Sequence, residues 1–133
     1  MKRLLVLAGI VYSSLLCAQE KTVAEQLAQQ QLDAYNKHDI EAFLAPYSDS
    51  VAVYMFPNQL MYKGKANMRK EYADMFAGTP DLNCQLVNRI VLKNTVIDQE
   101  KVVFDKNRPP LEAIAIYTIE NNKIAKVHFL MPR

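Results

Sequence analysis

Three charged side chains stand where a buried strand pair is expected. Residues 88–100 read NRIVLKNTVIDQE, and among β-branched and apolar neighbours they include Arg89, Asp98 and Glu100. An Arg beside two acids suits proton chemistry. It holds one carboxylate ionised, or binds an anionic group of a ligand, while Asp98 or Glu100 acts as a base. The same set also reads as a plain cross-strand ion pair on an outer or dimer-facing surface. If Lys93-Asn94 is a two-residue loop, Leu92 pairs with Thr95 and Arg89 falls directly opposite Asp98. Val87 then faces Glu100. Alternation puts Val87, Arg89 and Val91 on one face with Val96, Asp98, Glu100 and Val102. Leu86, Asn88, Ile90 and Leu92 take the other face with Ile97 and Gln99.

A second set is apolar. Tyr35, Tyr54, Phe56, Met68, Tyr72, Met75, Phe76 and Tyr117 lie on elements expected to face the interior. Each alone reads as core packing. Together they suggest a pocket lined by large, adaptable groups. A buried Tyr hydroxyl needs a partner, so Tyr35, Tyr54 or Tyr72 could orient a ligand. His128, beside Lys126 and Leu130 on the last strand, joins the ligand-binding candidates and is a candidate base. His38 falls in a turn and is expected to be solvated. Two histidines far apart, with no acid cluster at ligand spacing, do not suggest a metal site. Neither a glycine-rich phosphate loop nor G-x-S-x-G occurs, so no cofactor is implied. Cys84 alternates with Leu82 and Leu86 and reads as a buried thiol.

The elements that must position these residues follow from caps and periodicity. Thr22-Val-Ala-Glu25 fits a capping box ahead of a helix over 23–36. Asp39 is a good N-cap for a short helix to about Tyr47, which Ser48-Asp49-Ser50 should break. Strands are expected over 51–56 and 60–63, then a helix over 65–77 closed by Gly78-Thr79-Pro80. Four strands follow, over 82–92, 95–104, 111–120 and 123–131, with Asn121-Asn122 as a hairpin turn. The order is α-α-β-β-α-β-β-β-β. Consecutive hairpins imply an antiparallel sheet, and the three helices must cover one of its faces. The fold class is therefore α+β, a curved, cone-shaped sheet wrapped against helices.

The 133 residues suffice for one domain with one core, and half of them are hydrophobic. The N-terminus, MKRLLVLAGIVYSSLLCAQ, has Lys2 and Arg3, an apolar run from Leu4 to Leu16, then small or polar residues. That is the layout of an export signal over 1–19, cut after Ala18 or Gln19, giving a periplasmic or secreted protein without stable membrane insertion. Acylation of Cys17 is the lesser alternative, because Leu16 stands where a lipoprotein signal wants a small residue. Without Lys2 and Arg3 the sixteen basic residues fall to fourteen, equal to the fourteen acidic ones. No basic stripe remains, which argues against nucleic-acid binding. Cys84 is then the sole cysteine, so no internal disulfide forms.

The phrases LDAYNKHDIEAFLAPYSDSV (32–51), KANMRKEYADMF (65–76), NRIVLKNTVIDQE (88–100) and NNKIAKVHF (121–129) resemble the nuclear-transport-factor-2-like superfamily, in particular its SnoaL-like branch. Together they span almost all of residues 20–133, expected to be a single SnoaL-like domain. The resemblance implies a cone-like barrel, often a homodimer packed through its sheet, with a pocket for a small apolar molecule. Ketosteroid isomerases of this superfamily use an Asp base with a Tyr and a protonated Asp as donors. The matching positions here hold Met55 or Phe56, Gln31 and Leu111, and none supplies the required group. Limonene epoxide hydrolase, of the same fold, flanks an Arg with two acids, and Arg89, Asp98 and Glu100 match it in residue type only. Three readings follow: a small-molecule-binding protein, an enzyme on a small hydrophobic substrate using Asp98 or Glu100 with Arg89, and a structural dimerisation module.

Overall fold

Local capping starts both leading helices in the computed structural model, which describes residues 19–133. The expected export signal, Gln19 excepted, lies outside the described residues, and so does Cys17. Helix α1 (Val23–Asn36) begins after Thr22, whose hydroxyl accepts from the Glu25 N–H at 3.2 Å. Asp39 does the same for α2 (Ile40–Leu44), accepting from the Ala42 N–H at 3.0 Å. Each cap satisfies an N–H that no helical carbonyl can reach. Ala24 and Ala28 on α1 are buried, and their small side chains let the helix lie close on the sheet, while Val23 stays half exposed.

The remaining elements are β1 (Tyr47–Met55), β2 (Gln59–Lys63), α3 (Lys65–Gly78), β3 (Asn83–Leu92), β4 (Thr95–Val103), β5 (Leu111–Glu120) and β6 (Lys123–Leu130). The order matches the one expected. The six strands form one curved, unclosed sheet in the order β2-β1-β6-β5-β4-β3, with the helices against one face. The core lies between. Strand β4 shows the alternation plainly, burying Val96, Asp98, Glu100 and Val102. Both Asn121 and Asn122 have positive φ, as a tight hairpin turn requires. No described helix is long and apolar enough to cross a membrane.

Three details depart from expectation. The sheet is mixed: every hairpin pair is antiparallel, but β1 and β6 run parallel. No hairpin joins those two strands, so nothing local fixes their relative direction. The second departure is that Ser48-Asp49-Ser50 does not break the chain but lies inside β1. Tyr47, buried and packed on Phe43 at 5.2 Å, starts that strand earlier than turn-forming residues suggest. The third is a bulge in β3 at Val87. Arg89 does pair with Asp98, but beyond the bulge Leu86, not Val87, pairs with Glu100. One extra residue reverses side-chain parity. Leu86 therefore joins the inner side, and Val87 is about half exposed.

Strand β3 is an edge of the sheet, and α1 covers part of that edge. Asn36 Nδ2 donates to the Cys84 carbonyl at 2.9 Å, and the Cys84 N–H donates to Asn36 Oδ1 at 2.7 Å. One side chain thus replaces a missing neighbour strand at this residue. The Asn36→Ala variant strands both backbone groups. It is expected to lose about 2 kcal/mol of stability in urea unfolding, and an unchanged midpoint would refute the clamp.

Candidate functional site

Arg89, Asp98 and Glu100 all turn inward, towards the helices. Asp98 is completely buried and Glu100 is 5% exposed. The guanidinium of Arg89 grips Asp98 with two parallel hydrogen bonds of 2.7 Å, Nε to Oδ1 and Nη2 to Oδ2. Its Nη1 donates to Gln29 Oε1 on α1 at 2.9 Å. The bond to Asp98 raises the Arg89 pKa further, against the opposing effect of burial. A desolvated pair like this contributes little net stability, but losing one partner strands the other charge at a cost of about 3–5 kcal/mol. The pair ties the β3–β4 hairpin to α1. Neither residue lines the cavity described next.

Glu100 does line it. Between sheet and helices lies a cavity of about 180 Å³. Its walls are mainly apolar and aromatic, with Tyr35, Phe43, Tyr72, Met75, Phe129 and Val53 among them. At its floor is a directed chain of hydrogen bonds. The Tyr47 hydroxyl donates to Gln31 Oε1 at 3.2 Å, Gln31 Nε2 donates to the Tyr117 hydroxyl at 3.0 Å, and that hydroxyl donates to Glu100 Oε1 at 3.3 Å. Gln31 Nε2 also donates to the Ala28 carbonyl at 3.1 Å, so neither of its amide ends is left idle. Burial pushes the Glu100 carboxyl up to about 7, and the charge of Asp98 adds to this. Hydrogen bonds from Tyr117 and Cys84 and the more distant Arg89 oppose it. The same burial raises the Tyr117 and Tyr47 phenols and the Cys84 thiol, so all three are neutral near pH 7.

The expected ligand-binding residues divide. Tyr35, Tyr72 and Tyr117 are on the wall. The Tyr35 hydroxyl donates to Met75 Sδ at 3.8 Å. Met68 and Phe76 are buried but off the wall, Phe76 packing on Tyr35 at 5.5 Å and on Phe43 at 5.7 Å. Tyr54 and His128 are corrections, because they face away from the helices. They are paired across β1 and β6, with rings stacked at 4.7 Å, in strand positions opposite in parity to the inward Val53 and Val127. Phe56 follows β1 and is half exposed away from the cavity. His38 also differs from expectation. Its Nε2 lies 2.8 Å from the Leu82 carbonyl and its ring stacks on Phe76. Gln31 and Tyr47 were not singled out as site residues. The signal for Gln31 was an amide on an otherwise apolar helix face. Among the described residues, no group of three or more His, Cys, Asp or Glu is placed to hold a metal ion.

Residues 28–127 match the profile of the SnoaL-like domain. No curated protein matches the chain. Among solved structures, a cystatin-fold protein from Novosphingobium aromaticivorans is 21% identical, with TM-score 0.73 over 83% of this chain and 98% of that one. A SnoaL-like protein from Burkholderia thailandensis is 16% identical, with TM-score 0.72 over 86% and 98%. A nuclear-transport-factor-2-like protein from Cytophaga hutchinsonii is 13% identical, with TM-score 0.70 over 86% and 94%. At these identities the likeness speaks for the fold alone.

The raised Glu100 pKa fixes a sign. Folding favours the protonated form, so its contribution to stability is complete below about 4.5, where both states are protonated. It is lost as the pH rises to about 7, by roughly 3 kcal/mol at roughly 1.4 kcal/mol per pKa unit. A Glu100→Gln variant cannot titrate. Relative to wild type it is expected to gain about 2–3 kcal/mol between pH 4 and pH 8, read by urea unfolding at both values. A constant difference would show that Glu100 ionises normally.

Proposed function

Because the chain belongs to the SnoaL-like domain family, we propose that it binds a small, largely apolar molecule inside the cone, with that molecule's polar end at Glu100. One observation carries the reading: an apolar, largely aromatic cavity of about 180 Å³ ends in a single convergent polar cluster, Glu100 with Tyr117, Gln31 and Tyr47. Apolar walls supply affinity and a few placed polar groups supply orientation.

A second reading is an enzyme on a small hydrophobic substrate, favoured by the Glu100 carboxyl being held at about 7. A group titrating there both takes and returns a proton near neutral pH. In that reading Glu100 is the base or acid. Arg89 and Asp98, engaged with each other, support it from behind the wall. The ketosteroid-isomerase arrangement is not available, since Met55, Phe56, Gln31 and Leu111 stand where its three groups belong.

We also propose export and dimerisation. Export rests on Lys2, Arg3 and the apolar run to Leu16. Dimerisation rests on the sheet face away from the helices. There Ile90, Ile97, Ile116, His128, Tyr54 and Leu60 lie side by side across six strands in register. The end members Ile90 and Leu60 are more than half exposed, and an uncovered apolar row of this kind suits a second copy of the same face.

Two measurements test these readings. Small apolar molecules at about 100 times their Kd should add about 2.7 kcal/mol to stability and raise Tm by several degrees. An Ala113→Phe variant, which fills the cavity from β5, should lose that shift, and an undiminished shift would place binding elsewhere. Protein recovered from fractionated cells of its source should begin at Gln19 or Glu20 and run as a dimer. A full-length cytosolic chain, or a monomer at micromolar concentration, would overturn the corresponding proposal.

A further inference from the structure

We propose that the cavity selects an organic cation, a small amine with one protonated nitrogen on a largely apolar body. The inference rests on the cavity being a ligand pocket and goes further by fixing the charge of the occupant. The wall carries two charged residues, both acidic: Glu100 at the floor and Glu71 at the mouth. Among the described residues, no Lys, Arg or His is on it. The nearest buried cation, Arg89, has its donors engaged by Asp98 and Gln29.

Few donors reach Glu100. Among the described residues they are the Tyr117 hydroxyl, at 3.3 Å, and the Cys84 thiol, a weak donor. An ionised carboxylate has about four acceptor positions, so a protonated nitrogen is what this one is short of. Aromatic rings surround the approach, among them Tyr35, Phe43 and Tyr72. Ring faces attract a cation, and more strongly where water is excluded. An anionic ligand meets two acids and no counter-charge. The size also limits the occupant: an apolar cavity of ~150 Å³ holds benzene, so about 180 Å³ admits one ring with a short arm.

Titratable and charged groups face Glu100 from several elements. Asp98 and Arg89 come from the β3–β4 hairpin, Cys84 from β3, Tyr117 from β5, Tyr47 from β1, Tyr35 from α1 and Tyr72 from α3. The phenols and the thiol are raised by burial and stay neutral. The charge of Asp98 raises Glu100 more than the more distant Arg89 lowers it. Glu100 is therefore the group whose charge an amine follows. Affinity should fall as the pH drops below about 7 and Glu100 takes a proton, and fall again above the amine's own pKa.

Calorimetric titration of the purified protein with benzylamine, benzyl alcohol and benzoate at pH 8 tests this. Benzylamine is expected to bind at least tenfold more tightly than benzyl alcohol, benzoate not measurably, and the benzylamine preference should shrink at pH 5.5. In the Glu100→Gln variant benzylamine should weaken tenfold and lose its preference over benzyl alcohol. Benzyl alcohol or benzoate binding as well as benzylamine in the wild type overturns the cation while leaving the pocket standing. Failure of all three to bind overturns both. The wild-type ranking and its pH dependence decide the matter even if the variant does not fold.

Discussion

Two carboxylates on one buried strand face are costly to leave charged together. Asp98 and Glu100 are two residues apart on β4, on the same side, and both are almost completely out of water. The negative charge of Asp98 raises the Glu100 pKa and adds to the effect of burial. The bidentate grip of Arg89 on Asp98 resolves this, because it makes Asp98 half of a neutral unit. Glu100 is then the one acid that adjusts, and it does so by holding its proton up to about pH 7. The ion pair thus does not form the cavity. It permits a titratable group to exist on the cavity wall, and Gln29 anchors the arrangement to α1.

The sheet has two surfaces of different chemistry made from alternate residues of the same strands. The inner surface carries Val53, Val127, Tyr117, Ala115, Ala113 and Glu100 against the helices. Small Ala113 on β5 lines the cavity, so that space remains there instead of being filled by a larger side chain. The outer surface carries the isoleucine row with stacked Tyr54 and His128. A substitution on any strand therefore acts on one surface or the other, according to parity alone.

Much of this was legible because short-range rules fix it. A two-residue turn at Lys93-Asn94 sets the hairpin register, and that register places Arg89 opposite Asp98 without any knowledge of the fold. Caps at Thr22 and Asp39 fix the helix starts. The bulge at Val87 was not legible, since Leu86 and Val87 are both apolar and either parity satisfies a hydrophobic pattern. For the same reason the pattern does not place Tyr54 and His128: β1 and β6 carry large side chains in both parities, and alternation does not say which is covered. The Gln31–Tyr117–Glu100 chain joins residues from α1, β5 and β4, and no local pattern links them.

The parallel pairing of β1 with β6 has a consequence for how the chain reaches this fold. Strands β1 and β2 come early in the sequence, yet in the sheet they connect to the rest through the last strand. Their seats do not exist until residues 123–130 have been made and have paired with β5. The early hairpin and its apolar face must therefore wait for chain ending some seventy residues later. Such long-range closure is slow, because its entropy is lost before any contact compensates. The finished sheet is thus a late event, which follows synthesis of the last strand.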